Sequence, residues 1–127
     1  MRLLLDTHVF IWAVTANRRL KPAQRAWLES AEEIHVSSAS IWEVAIKAQL
    51  GKIDADADEL AAAITNSGFV ELAVTARHAA AVSRLPLHHG DPFDRILVAQ
   101  AFTEPLRLVT VDRLLCAYGP NIDLLPA

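Results

Sequence analysis

Four acidic residues have the chemistry and the sequence settings to hold a hard cation: Asp6, Glu43, Asp94 and Asp112. Asp6 directly follows the apolar run Leu3-Leu4-Leu5, and Asp112 directly follows Leu108-Val109-Thr110-Val111. Glu43 and Asp94 lie near the starts of two predicted helices. In an open α/β sheet, the carboxyl ends of the strands and the adjacent helix starts form one crevice where ligands bind. Acids scattered over more than a hundred residues can therefore meet at one point. Carboxylates at 5 Å repel by roughly 3 kcal/mol per pair at an effective dielectric near 20. Oxygen clusters of this kind suit Mg²⁺ or Mn²⁺.

The elements that must position these acids follow from the pattern of apolar residues. Residues 2–5 read as a short buried strand, and the Asp6-Thr7 break favours a turn into a helix over 7–15. Pro22 suits the first turn of a helix over 22–32, where its missing N–H is no loss. Residues 34–37 form a second strand, followed by a helix over 40–50 that Gly51 stops. Residues 57–66 are helical, 69–74 are a third strand, and Thr75 caps a helix over 76–84 that ends before Pro86. Asp91-Pro92 is a helix start, with the acid at the N-cap and proline at the first helical position; this helix runs to Thr103. A fourth strand covers 106–111, a helical turn follows Asp112, and 122–125 form a fifth, edge strand. Repeated strand-helix units imply an α/β fold with a parallel sheet covered on both faces.

Each acid also has a purely structural use. Asp6 can cap the helix that follows it. Ser40-Ile41-Trp42-Glu43 matches a capping box, and Lys47 stands at i+4 to pair with Glu43. Asp91 is explained as an N-cap, which leaves Asp94 at the third helical position near the positive end of the helix dipole. Asp112 can cap the turn after the last long strand, and Thr110 can offer a hydroxyl to the same place. His88 and His89 precede Gly90 in a loop and read as solvated or structural. His8, His35 and His78 have no motif spacing. Trp12, Trp27 and Trp42 recur every fifteen residues in different surroundings and read as core or partner-facing aromatics.

The bulk numbers suit one globular domain spanning 1–127, with 53% hydrophobic and 21% charged residues. The net charge of −3, from 12 basic and 15 acidic side chains, gives no basic stripe. That argues against a nucleic-acid binder held by charge alone, although a bound metal reverses the local charge of a nuclease site. Cys116 is the only cysteine, which excludes an internal disulfide and a cysteine-based zinc site and fits a reducing cytoplasm. The N-terminal apolar run is too short for a signal peptide or a membrane span.

Taken in series, four segments resemble a known family. They are Leu5-Asp6-Thr7-His8, Ser37-Ser38-Ala39-Ser40-Ile41-Trp42-Glu43 through Lys47, Asp91-Pro92-Phe93-Asp94-Arg95 through Gln100, and Leu108-Val109-Thr110-Val111-Asp112. In this order they are similar to the PIN-domain ribonucleases, most closely to the VapC toxins of type II toxin–antitoxin pairs. The resemblance covers essentially the whole chain. It implies a three-layer α/β/α fold with a central five-stranded parallel sheet. It implies Mg²⁺- or Mn²⁺-dependent endonucleolytic cleavage of RNA, with Asp6, Glu43, Asp94 and Asp112 as the acidic quartet. Asp91 and Thr110 are neighbours of that site. The resemblance further implies a homodimer, and a cognate VapB-like antitoxin whose C-terminal segment wraps the toxin.

The residues agree with that chemistry. A metal held by Asp6 and Asp94 can acidify its water and neutralise a phosphate. Glu43 and Asp112 can complete the cage or orient the attacking water. Lys47, Lys52, Arg95 and Arg113 are the nearest basic candidates for phosphate contacts. Three other functions compete. A phospho-receiver domain would need paired acids after the first strand, a phosphoacceptor aspartate after the third and a lysine after the last. Here Asp6 is single, Val74-Thr75 follows the third strand and Pro126-Ala127 the last. A catalytically inactive module that only binds RNA or protein would be favoured by an incomplete quartet. A nuclease acting on DNA or structured RNA outside any toxin system shares the same residues.

Overall fold

The structure is a computed structural model that describes residues 1–126. Five parallel strands form one sheet in the order β3-β2-β1-β4-β5. They are β1 (Arg2–Leu5), β2 (Glu33–Ser37), β3 (Val70–Leu72), β4 (Arg107–Thr110) and β5 (Ile122–Leu124). The helices are α1 (Thr7–Val14), α2 (Pro22–Glu29), α3 (Ser38–Gln49), α4 (Ala57–Asn66), α5 (Ala76–Ala81) and α6 (Pro92–Thr103). Two 3-10 turns cover Val82–Arg84 and Arg113–Tyr118. This is the three-layer α/β/α arrangement expected from the sequence.

Strand alternation divides the core. Leu3 and Leu5 of β1 pack with Val9, Phe10, Leu28, Val44 and Ile64 on one face of the sheet. Leu4 packs with Leu97, Val98, Leu108, Leu115 and Ile122 on the other. All three leucines are fully buried, which explains why β1 reads as a continuous apolar run. Each such side chain contributes roughly 1.5–3 kcal/mol. Strand order reverses at β1, which pairs with β2 on one side and β4 on the other. The crevice beyond the carboxyl ends of β1 and β4 is therefore the topological switch point.

Several boundaries differ from the expectation. The helix after Pro22 ends at Glu29 rather than residue 32, and the helix after Thr75 tightens into a 3-10 turn after Ala81. The third strand shrinks to Val70–Leu72, because it pairs only with β2 at the sheet edge. The helix expected from residue 40 begins at Ser38 and is capped by Ser37, whose Oγ accepts the Ala39 N–H. Ser40 is thus inside the helix, and the proposed Ser40–Glu43 capping box does not form. Gly51, at φ +71°, ends this helix as expected. No helix among the described residues is long and apolar enough to cross a membrane.

Candidate functional site

Asp6 closes β1 and opens α1, so both readings of it hold together. Its Oδ1 accepts the Val9 N–H at 2.9 Å, a helix cap. Its Oδ2 accepts the Thr110 hydroxyl at 2.6 Å. The carboxylate is 5% exposed. Burial pushes its pKa up, against the opposing pull of the Thr110 hydrogen bond. Thr110 also accepts the Asp112 N–H at 3.0 Å, so one hydroxyl ties the ends of β1 and β4 together.

Thr7 fastens the second acid. Its hydroxyl donates to Glu43 Oε1 at 2.7 Å, and the Ser40 hydroxyl lies 2.9 Å from the Thr7 hydroxyl. Glu43 Oε2 receives the Lys47 ammonium at 2.6 Å, one helical turn on. That bond holds the Lys47 pKa up against desolvation, with Asp91 and Asp94 adding to the effect. Glu43 is buried, so its charge is compensated from both oxygens.

The start of α6 supplies the third acid. Asp91 Oδ1 accepts the backbone N–H of Phe93 at 2.8 Å and of Asp94 at 3.3 Å, and Pro92 takes the first helical position. Asp94 is left with its carboxylate facing the other acids. Its pKa is pushed up to about 7, first by burial, then by Asp91, with Asp6 and Glu43 adding and His89 opposing. Asp112 caps the 3-10 turn through Oδ1, which accepts the Leu114 N–H at 2.9 Å.

All four acids border one cleft of about 140 Å³, with Lys47 and Asp91 on its wall. A larger cavity of about 460 Å³ opens elsewhere, beside Arg77, Arg84, Phe102 and Tyr118. It is bordered by none of the four acids. The small cleft holds the chemistry, so size does not select the site.

His89 is the residue that sequence reasoning missed. Its Nε2 lies 2.9 Å from Asp112 Oδ2 and 3.6 Å from Asp94 Oδ2. These three residues are spaced for a shared cation, with donor atoms within 4.8 Å of one another. However, His89 Nδ1 accepts the Asp91 N–H at 3.1 Å. The neutral ring must then carry its proton on Nε2, which makes His89 a donor to Asp112 and not a metal ligand in this arrangement. The signal was only a histidine pair before Gly90-Asp91-Pro92, without ligand spacing. Thr7 was also missed, because a threonine after a strand is ordinary.

The basic candidates fare unevenly. Lys47 reaches the cleft, but as the partner of Glu43. Arg113 and Lys52 are exposed. Arg95 corrects the expectation of a phosphate contact. Its guanidinium is turned inward and donates to the Pro86 carbonyl at 2.9 Å, the Tyr118 hydroxyl at 3.0 Å and the Val82 carbonyl at 3.2 Å. It leaves α6 in a different direction from the cleft-facing Asp94, because residue i+1 is turned by about 100° on a helix.

The PIN-domain family model matches residues 3–119. Ribonuclease VapC22 of Mycobacterium tuberculosis is 34% identical over 118 residues, covering 88% of this chain and 88% of that protein. The chain belongs to the PIN-domain family and to its VapC branch. Among solved structures, VapBC2 from Rickettsia felis bound to a promoter DNA fragment matches at a TM-score of 0.68 with 17% identity, covering 98% of this chain and 97% of that one. A toxin–antitoxin complex from Klebsiella pneumoniae matches at 0.65 with 21% identity, covering 95% of each chain. These two likenesses are of fold.

Proposed function

We propose that this protein is a metal-dependent endoribonuclease, the toxin half of a type II toxin–antitoxin pair, acting in the cytoplasm. The observation that carries the reading is the meeting of Asp6, Glu43, Asp94 and Asp112 in one cleft of about 140 Å³ at the switch point of the sheet. Asp94 is pushed up to about 7, first by burial and then by Asp91, Asp6 and Glu43, which supports a site with surplus negative charge. The name of the relative from Mycobacterium tuberculosis supports ribonuclease chemistry. The toxin–antitoxin complexes of the same fold support a cognate antitoxin as partner.

The donor set fits Mg²⁺ or Mn²⁺. It consists of carboxylate oxygens, which hard divalent cations prefer. Asp6, Asp94 and Asp112 would hold the ion, and Glu43 would complete the cage directly or through water. The ion supplies charge neutralisation for a scissile phosphate and an acidified water. The chain's own residues do the rest. Thr110 fixes Asp6 and the backbone of Asp112. Thr7 and Lys47 hold the two oxygens of Glu43, aiming that carboxylate where a water can be oriented. His89 steadies Asp112 through its Nε2–H.

The test is incubation of purified, antitoxin-free protein with total cellular RNA in Mg²⁺, in Mn²⁺ and in EDTA. Discrete fragments that require the metal support the reading, and their ends identify the target. Intact RNA under every condition, from folded protein, favours an inactive binding module instead.

A further inference from the structure

Among the described residues, Lys47 is the one lysine or arginine that borders the acidic cleft. It shares that cleft with five carboxylates, those of Asp6, Glu43, Asp91, Asp94 and Asp112. A glutamate and a lysine one helical turn apart commonly form a solvated surface pair of little weight. This pair is different. The Glu43 side chain is 6% exposed and that of Lys47 33%, and Nζ lies 2.6 Å from Oε2. Both Glu43 oxygens are engaged, Oε1 by the Thr7 hydroxyl and Oε2 by the ammonium. A divalent ion bonded to Oε2 would be pressed against that ammonium, and like charges in a half-buried cleft repel strongly. Asp6, Asp94 and Asp112 have no lysine or arginine partner among the described residues. Three acids are thus left to a metal ion, whereas Glu43 has its cation built into α3.

We infer that the Lys47 ammonium takes the place of a second metal ion, so that the cleft holds one divalent ion beside one protein-borne cation. The inference rests on the metal site of the ribonuclease reading and deepens it by setting the number of ions. Two-ion sites clamp a phosphate between cations about 3.5–4 Å apart. An ammonium can fill one side of such a clamp, because it is a compact positive charge that donates hydrogen bonds to phosphate oxygens. Lys47 then does two things. It holds Glu43 off the ion, so that this carboxylate reaches the ion only through water. It also presents the second positive charge to a phosphate in the cleft. Since Glu43 and Lys47 stand on one helix, the pair forms wherever α3 forms, before any ion or RNA arrives.

Counting ions without RNA separates this idea from the cleavage reading. Mn²⁺ is titrated into wild type, Lys47→Met, Lys47→Gln and Lys47→Arg above the Asp94 pKa of about 7. Each protein is checked by circular dichroism, and bound ions are counted from the loss of the free Mn²⁺ paramagnetic resonance. Wild type and Lys47→Arg should bind one ion per chain. Lys47→Met and Lys47→Gln should bind two, with the broadened resonance of a coupled pair about 4 Å apart. Glu43→Gln added to Lys47→Met should return the count to one. A lysine that only stabilises α3 would change the melting temperature and leave the count alone. One ion in both folded neutral variants therefore overturns the inference. Two ions in wild type overturn it without recourse to any variant, and so does failure of wild type to bind Mn²⁺. One ion in wild type and a pair in Lys47→Met, without RNA cleavage in Mn²⁺, sustain the inference and remove the ribonuclease reading. RNA cleavage by wild type that holds two ions does the reverse.

Discussion

Asp6 and Thr110 stand 104 positions apart in the chain and share a 2.6 Å hydrogen bond. That bond joins the ends of β1 and β4, the two strands at which the sheet order reverses. It is the point where fold becomes site. The same threonine oxygen accepts the Asp112 N–H, so two of the four acids are referenced to one side chain.

Protonation of Asp94 should govern metal binding. Its folded pKa of about 7 lies above the ordinary value of 3.8. The folded protein therefore holds more protons between these values, and metal-free stability falls as pH rises through that window. Mn²⁺ must displace the same proton, so its affinity should rise as pH climbs toward 7 and level off above it. Asp94→Asn should stabilise metal-free protein at pH 8 by on the order of 1–3 kcal/mol and lose the Mn²⁺-induced rise in melting temperature. Thermal melts of both proteins at pH 5 and pH 8, with and without Mn²⁺, measure all of this. Unchanged stability of Asp94→Asn at both pH values would contradict the crowding of carboxylates.

Thr7→Val keeps the shape of the side chain and deletes the donor to Glu43. The variant should fold, at a cost of about 1 kcal/mol in denaturant titration. Its RNA cleavage rate should fall about ten- to a hundredfold, as for other groups that orient a metal-site carboxylate. A rate equal to wild type would mean that Glu43 needs no such anchor.

His89 separates a donor from a ligand. With Nδ1 occupied by the Asp91 N–H, no nitrogen should coordinate the ion. Electron spin echo spectra of the Mn²⁺-loaded protein should show no directly bound nitrogen. A strong nitrogen coupling that disappears in His89→Ala would overturn the assignment and make His89 part of the cage.

Arg95 is a stability residue. Arg95→Ala strands the Pro86 and Val82 carbonyls and the Tyr118 hydroxyl, and should cost about 2–4 kcal/mol. Its folded fraction should bind RNA with the wild-type salt dependence. A shallower salt slope would restore Arg95 to the phosphate contacts.

The legible part of the site was the part written in local signals. Leucines before Asp6, the Asp91-Pro92 helix start and the apolar run before Asp112 each mark a strand end or a cap, and the parallel topology carries those marks to one crevice. Glu43 was harder, because Ser40 three residues earlier imitates a capping box. Ser37 wins that role since β2 ends there and its own hydroxyl reaches Ala39. Arg95 was misread, and the partner of His89 was missed, for a common reason. Arg95 follows Asp94 and His89 lies two positions before Asp91, yet the direction of each side chain is set by partners far along the chain: Tyr118 for Arg95 and Asp112 for His89. Local spacing holds no record of those tertiary bonds.

Asp6, Glu43, Asp94 and Asp112 are proposed to form one metal-dependent cutting site. Its most direct test is single-turnover cleavage of a mapped RNA by wild type, Asp6→Asn and Asp94→Asn, each shown to be folded, across a titration of Mn²⁺. Wild type should cleave only with metal, and both variants should be slowed at least about a thousandfold at saturating Mn²⁺. Wild-type rates from either folded variant, or wild-type cleavage that persists in EDTA, would contradict the account.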